Sequence, residues 1–226
     1  MSTRSFFSRC PFHFLFLALT LAVLGAGTVQ AETLLYEIIF KGEDGSTPRD
    51  WQKAGAPEDA DQFTIRKGVY RADAGKDFVA SWFSGNDLKG QPSDTWTDYT
   101  VKGVVRLSGD AMTGVLARFK SPTGFYHARI KGTGPKATFE LYRIGGPNGS
   151  LALQDPAQIN YPPGESWRIE LTVAGTNISA KLFDTKGEVV ASLSGTDNLY
   201  KSGTAGVRVH SRDFAAVVES LTVTAP

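Results

Sequence analysis

Trp167-Arg168-Ile169-Glu170-Leu171-Thr172-Val173, then Ala174-Gly175-Thr176, then Asn177-Ile178-Ser179-Ala180-Lys181-Leu182-Phe183 is the stretch that decides the fold. Ile169, Leu171 and Val173 alternate with Arg168, Glu170 and Thr172. Ile178, Ala180 and Leu182 alternate in the same way with Ser179 and Lys181. A period of two turns one set of side chains toward a core and the other toward solvent. The short glycine-containing link supplies the turn, so the segment reads as two strands of a hairpin.

The same grammar extends in both directions. Leu34–Phe40, Gln62–Arg66, Gly68–Arg71, Phe78–Phe83, Tyr99–Leu107, Thr113–Phe119, Gly124–Lys131 and Ala137–Ile144 precede the hairpin. Leu151–Gln154 lies just before it, and Glu188–Leu193, Ala205–His210 and Ala215–Val223 follow it. Turn-rich links such as Asp184-Thr185-Lys186-Gly187 and Gly145-Gly146-Pro147-Asn148-Gly149 separate them. No convincing amphipathic helix follows residue 31. About thirteen short strands at this spacing predict an all-β, antiparallel sandwich or barrel. Two stretches, Lys41–Asp61 and Ser84–Trp96, are long, irregular and rich in Gly, Pro and Asp. Loops of that length in a compact domain often border a binding site. Without repeats or a linker, residues 32–226 read as a single domain.

The first 31 residues read differently. Arg4 and Arg9 precede the apolar run Phe14–Leu24, and small, weakly polar residues end at Val29-Gln30-Ala31. This is the pattern of a cleaved secretory signal, and the run falls short of the roughly 20 residues that a membrane-spanning helix needs. Cys10 precedes the apolar run, which argues against a lipoprotein site. Residues 1–31 are therefore expected to be removed, with the remainder periplasmic or extracellular and not inserted in a membrane. The whole chain has 24 basic and 23 acidic residues. Removal of Arg4 and Arg9 leaves 22 against 23, a net charge of −1. A near-neutral chain without basic runs does not suggest a nucleic-acid partner. The sole cysteine and His13 leave with the signal, so stability rests on a core, with His127 and His210 the remaining histidines.

Thr97-Asp98-Tyr99-Thr100-Val101, Gly114-Val115-Leu116-Ala117-Arg118-Phe119, Phe125-Tyr126-His127-Ala128-Arg129-Ile130 and Glu140-Leu141-Tyr142-Arg143 carry a family likeness. So do Gly164-Glu165-Ser166-Trp167-Arg168-Ile169 and Ser202-Gly203-Thr204-Ala205-Gly206-Val207. Together they resemble the concanavalin A-like jelly roll, a two-sheet antiparallel sandwich. The likeness is nearest to its laminin-G-like branch, which includes 3-keto-disaccharide hydrolase-like domains and sugar-binding modules. The resemblance implies a domain that recognises carbohydrate. Val218-Glu219-Ser220 stands where that family often has Phe-Asp-Asn near a metal or loop anchor, and Ile38-Ile39 replaces a carboxylate pair before Phe40. No metal and no cofactor are expected.

The residues themselves narrow the chemistry. A retaining glucanase of this fold needs a Glu-x-Asp-x-x-Glu strand, with two carboxyls about 5 Å apart. The sequence contains no such motif. Alternation instead predicts one polar sheet face, expected to be the concave one that would hold a saccharide. With Tyr126, Ala128 and Ile130, Phe139 and Leu141, and Val115, Ala117 and Phe119 inward, Arg118, His127, Arg129, Glu140 and Tyr142 gather on the other side. Aromatic faces, bidentate Arg and carboxylates are the groups that hold sugars, so these five are the expected ligand-binding residues. The plain alternative is a solvated sheet with cross-strand ion pairs. His127 has the pKa range of a general acid or base, which leaves a sugar hydrolase or lyase open. A structural or protein-binding module is the third reading. Trp51, Trp82 and Trp96 are the exposed tryptophan candidates. Trp51 and Trp96, in or beside the long loops, are either sugar platforms or core plugs. His210, with Arg208 and Arg212 near a strand end, is a candidate for the same rim.

Overall fold

The computed structural model describes residues 31–55, 63–72, 78–210 and 215–226. The expected signal, with Cys10 and His13, falls outside them apart from Ala31. Sixteen strands are formed among the described residues: β1 Thr33–Ile39, β2 Trp51–Ala54, β3 Thr64–Arg66, β4 Val69–Ala72, β5 Val79–Phe83, β6 Tyr99–Leu107, β7 Met112–Ser121, β8 Gly124–Lys131, β9 Gly134–Ile144, β10 Leu151–Ala152, β11 Ala157–Tyr161, β12 Ser166–Ala174, β13 Asn177–Phe183, β14 Val189–Thr196, β15 Thr204–His210 and β16 Ala216–Ala225. Among the described residues one 3-10 turn, Ser93–Thr95, interrupts them.

The strands form two antiparallel sheets of eight. The first runs β14–β13–β12–β6–β16–β4–β3, with β1 also paired to β16. The second runs β10–β9–β8–β7–β15–β5–β2, with β11 also paired to β9. The hairpin that decided the fold is β12–β13, with Ile169 opposite Leu182, Leu171 opposite Ala180 and Val173 opposite Ile178. All six are buried. They meet Val115, Ala117, Tyr126, Ala128, Ile130, Phe139 and Leu141 of the second sheet in one core. Burying this much apolar surface between two sheets is what stabilises a domain without disulfides.

Two strands escape the sequence pattern. β2 lies inside the irregular stretch Lys41–Asp61, and only its Trp51 is buried. β11 is an edge strand whose register slips against β9 between Ile159 and Tyr161. Such strands owe their form to a neighbour's open edge rather than to their own alternation. Trp51 and Trp96 prove to be core plugs. Trp51 is buried and its Nε1 donates to the Tyr36 hydroxyl over 2.8 Å. Trp96 sits edge-on to Tyr99 with centroids 5.7 Å apart.

One irregularity moves a candidate residue. On β7, Leu116 pairs with Gly206 of β15, but Thr204 pairs with Phe119 rather than Arg118. The strand therefore carries one extra residue, a bulge, and Arg118 adopts φ +47° within it. A one-residue insertion reverses the alternation beyond it. Phe119, expected in the core, joins the outer face, and Arg118 leaves that face.

Candidate functional site

The outer faces of the two sheets differ in kind. On the first sheet lie the pairs Arg168 Nε–Glu170 Oε1 at 3.0 Å and Arg106 Nε–Glu219 Oε1 at 3.1 Å. These residues are half-exposed, and the face matches an ordinary solvated sheet. On the second sheet, Ala80, Leu116, Phe119, Phe125 and Ile144 form a separate apolar cluster, with half-buried Trp82 and Tyr142 packed against it. Its five members are buried, so ring surface on this side of the sheet is offered chiefly by Trp82 and Tyr142 at the two ends.

Strand register sets its layout. Gln52, Trp82, Gly206, Leu116, His127 and Tyr142 are successive cross-strand partners along one row. Trp82 and Tyr142 are thus four strand spacings apart, about 19 Å. The rings form a train: Trp82 on Phe119 at 4.4 Å, Phe119 on Phe125 at 5.5 Å, and Phe125 edge-on to His127 at 6.1 Å. Gly206 keeps the row low between Trp82 and Leu116, because a Cβ there would lie 2.3 Å from the Ser81 carbonyl oxygen. At the Trp82 end opens a cleft of about 500 Å³ whose lining includes Gln52, Trp82, Asn86, Asp94, Phe119 and Lys120. The loop after β5 and the β7–β8 turn supply its rim. At the opposite strand ends, beside the β8–β9 turn, a second cleft of about 400 Å³ includes Asp110, Lys131, Lys136 and Glu140.

Four of the five expected residues come together. Arg129 Nε donates to Glu140 Oε2 over 2.6 Å, and Thr138 Oγ1 donates to Glu140 Oε1 over 2.9 Å. The Arg129 guanidinium also lies 4.5 Å from the Tyr142 ring centroid, a cation–π distance. His127 follows on the neighbouring row.

Arg118 does not join them. Its Nε donates to the Thr97 carbonyl and its Nη1 to those of Gly175 and Tyr200, all at 2.9 Å. Its Nη2 meets Asp98 Oδ1 at 3.1 Å, and its backbone N–H donates to the Tyr99 hydroxyl at 2.5 Å. The side chain is 2% exposed. It ties together the segment entering β6, the β12–β13 turn and the segment before β15. The expected ligand contact is a structural arginine, displaced by the bulge.

Three more residues join them, of which sequence reasoning missed only Phe119. Phe119 was hidden by the same bulge. Trp82 alternates with core residues Ser81 and Phe83 and was legible as outward-facing. Arg208 stands between inward Val207 and Val209, a pattern that marks it as outward too. Its guanidinium lies 3.9 Å from the Phe78 ring and 5.4 Å from the Phe125 ring. Burial and the nearby Arg129 push its pKa down to about 10, so it stays charged at neutral pH. His210 is 4.7 Å from Phe78, and Arg212 lies outside the described residues.

His127 is fully buried, and neither ring nitrogen has a partner. Burial first, then Arg129 and Arg208, hold its pKa well below the usual histidine range. A neutral imidazole with no exposed atom is poorly placed to shuttle protons to a substrate. Glu140 is committed to Arg129 and Thr138. The arrangement suits holding a ligand better than acid–base chemistry. Among the described residues, no group of three or more His, Cys, Asp or Glu is placed to hold a metal ion. No described helix is long and apolar enough to cross a membrane.

No protein-family model matches the chain, and no curated protein matches it in sequence. Solved structures do resemble it. Lectin II from Ulex europaeus aligns with a TM-score of 0.58 at 8% identity, over 86% of this chain and 99% of its own. The CBM2 module of the evolved Dit of Lactobacillus casei BL23 phage J-1 aligns with a TM-score of 0.58 at 9% identity, over 85% of this chain and 95% of its own. The fold is a concanavalin A-like jelly roll. The GH43 protein BlXynB of Bacillus licheniformis matches with a TM-score of 0.60 at 11% identity, over 84% of this jelly roll. The chain spans only 39% of that protein. At these identities the likeness concerns the fold alone.

Proposed function

We propose that this jelly roll is an exported, non-catalytic domain that binds a saccharide across the outer face of its second sheet. The observation that carries the reading is the aromatic row from Trp82 and Phe119 toward Tyr142, with polar clefts at both strand ends. Sugar rings offer C–H surfaces to aromatic faces and hydroxyls to Arg, carboxylate and amide groups. The row length of about 19 Å suits several linked sugar units. A lectin and a CBM2 module among the structural neighbours support the reading. The N-terminal pattern supports export, with residues 1–31 removed and a periplasmic or extracellular destination.

A glycan array of the purified protein tests this. Saccharide binding that Trp82→Ala weakens is the expected result, and no glycan signal above background would remove the reading. Product release from keto-disaccharides or polyuronates would instead point to a hydrolase or lyase on this fold.

A further inference from the structure

We infer that the saccharide held on this face carries an anionic group, a carboxylate or a sulfate ester, and that Arg208 binds it together with Arg129. The inference rests on the saccharide reading of the same face and adds the charge class of the ligand.

Gly114 is the cross-strand partner of Arg129 on one side and of Arg208 on the other. In this row the two arginines therefore flank a position with no side chain, and none fits there. A Cβ on Gly114 would lie 2.0 Å from the Ala128 carbonyl oxygen and 2.6 Å from the Arg129 Cα. The two arginine-bearing strands lie two spacings apart, about 10 Å between backbones, with a side-chain-free slot in the row between them.

The charges across the slot do not balance. Glu140 is the carboxylate paired to this cluster, and it is already bound by Arg129 and Thr138. Arg208 has no carboxylate partner among the described residues, only the faces of Phe78 and Phe125. Burial and its fellow cation both disfavour its charge. His127, buried beside both arginines, is held neutral and contributes nothing to offset them. Among the described residues, two arginines against one carboxylate leave one positive charge in excess on a half-buried, aromatic surface. Such a charge is costly unless a counter-ion completes it. A guanidinium matches a planar carboxylate or a sulfate edge with two parallel N–H donors. A singly charged anionic sugar satisfies the excess, while its ring lies along the neighbouring aromatics.

Calorimetric titration of the full protein with polygalacturonate, dextran sulfate and neutral xylan tests this. An anionic glycan should bind, more weakly as salt rises. Arg208→Gln should lower that affinity about tenfold or more, Arg208→Lys should retain part of it, and any xylan binding should not change. Polygalacturonate alone would assign a carboxylate, dextran sulfate alone a sulfate ester, and either supports the inference. Binding of xylan without the anionic glycans, or an Arg208→Gln protein that binds them undiminished, would overturn the inference and leave saccharide binding standing. No binding of any glycan on these titrations and on the array would remove both. Should Arg208→Gln fail to fold, the salt series on the unchanged protein decides: affinity insensitive to salt overturns the inference.

Discussion

Trp82 lies on Phe119 with ring centroids 4.4 Å apart and planes 24° from parallel. The pair forms across β5 and β7 with only Gly206 of β15 between their strands. It exists because a bulge turns Phe119 outward and because a glycine leaves room above β15. A stacked pair at the mouth of a polar cleft combines apolar area with hydrogen-bonding groups at its rim.

Trp82→Ala should therefore cost saccharide affinity about 1–3 kcal/mol, the scale of an aromatic anchor. Its melting temperature should fall less than that of Phe119→Ala. Phe119 is buried, and its truncation leaves a cavity worth about 3–5 kcal/mol. Glycan titration and thermal unfolding of both variants separate the two effects.

Arg118 should behave as a structural residue. Arg118→Ala removes a buried side chain and leaves the Thr97, Gly175 and Tyr200 carbonyls and the Asp98 carboxylate short of a donor, a loss of roughly 3–5 kcal/mol. Arg118→Gly loses the same bonds but relieves the left-handed backbone, so it should be about 1 kcal/mol less damaging than alanine. Denaturant unfolding measures the difference. Affinity per folded molecule should stay unchanged in whichever variant folds.

His127 ties stability to pH. Its folded pKa is depressed, so the unfolded chain binds the proton first as pH falls below about 6.5. The stability it contributes is complete above that pH and is lost progressively below it, down to the folded pKa. His127→Leu removes the titration without breaking a hydrogen bond, since the ring makes none. The variant should match the parent near pH 8 and melt higher than it at pH 5. Melting curves at the two pH values check this.

Export makes a simple mass prediction. Protein recovered from the periplasm or medium should begin at Glu32, and intact-mass measurement reads the cleavage directly.

Much of the fold could be read from alternation. The strands Tyr99–Leu107, Gly124–Lys131 and Asn177–Phe183 fall at their predicted bounds, because each alternates without interruption and ends in turn residues. His127, Arg129, Glu140 and Tyr142 were legible as neighbours for the same reason: β8 and β9 pair in register throughout that segment. Arg118 and Phe119 were not. Whether a strand carries an extra residue depends on what its backbone meets on both sides, here the Tyr99 hydroxyl and the Arg118 staple, and those partners are remote in the chain.

Sequence alone determined an all-β, antiparallel architecture, because a two-residue period commits each strand to one buried face, and the family resemblance narrowed it to a jelly roll. Only the tertiary structure decided which outer face is special. Both sheets present alternating polar residues in sequence, yet one face pairs its charges in solvent. The other brings together aromatic rings and two arginines, with Glu140 beside Arg129 as their one carboxylate among the described residues. That difference arises from register across five strands, and cross-strand register is a property of the assembled sheet rather than of any one segment.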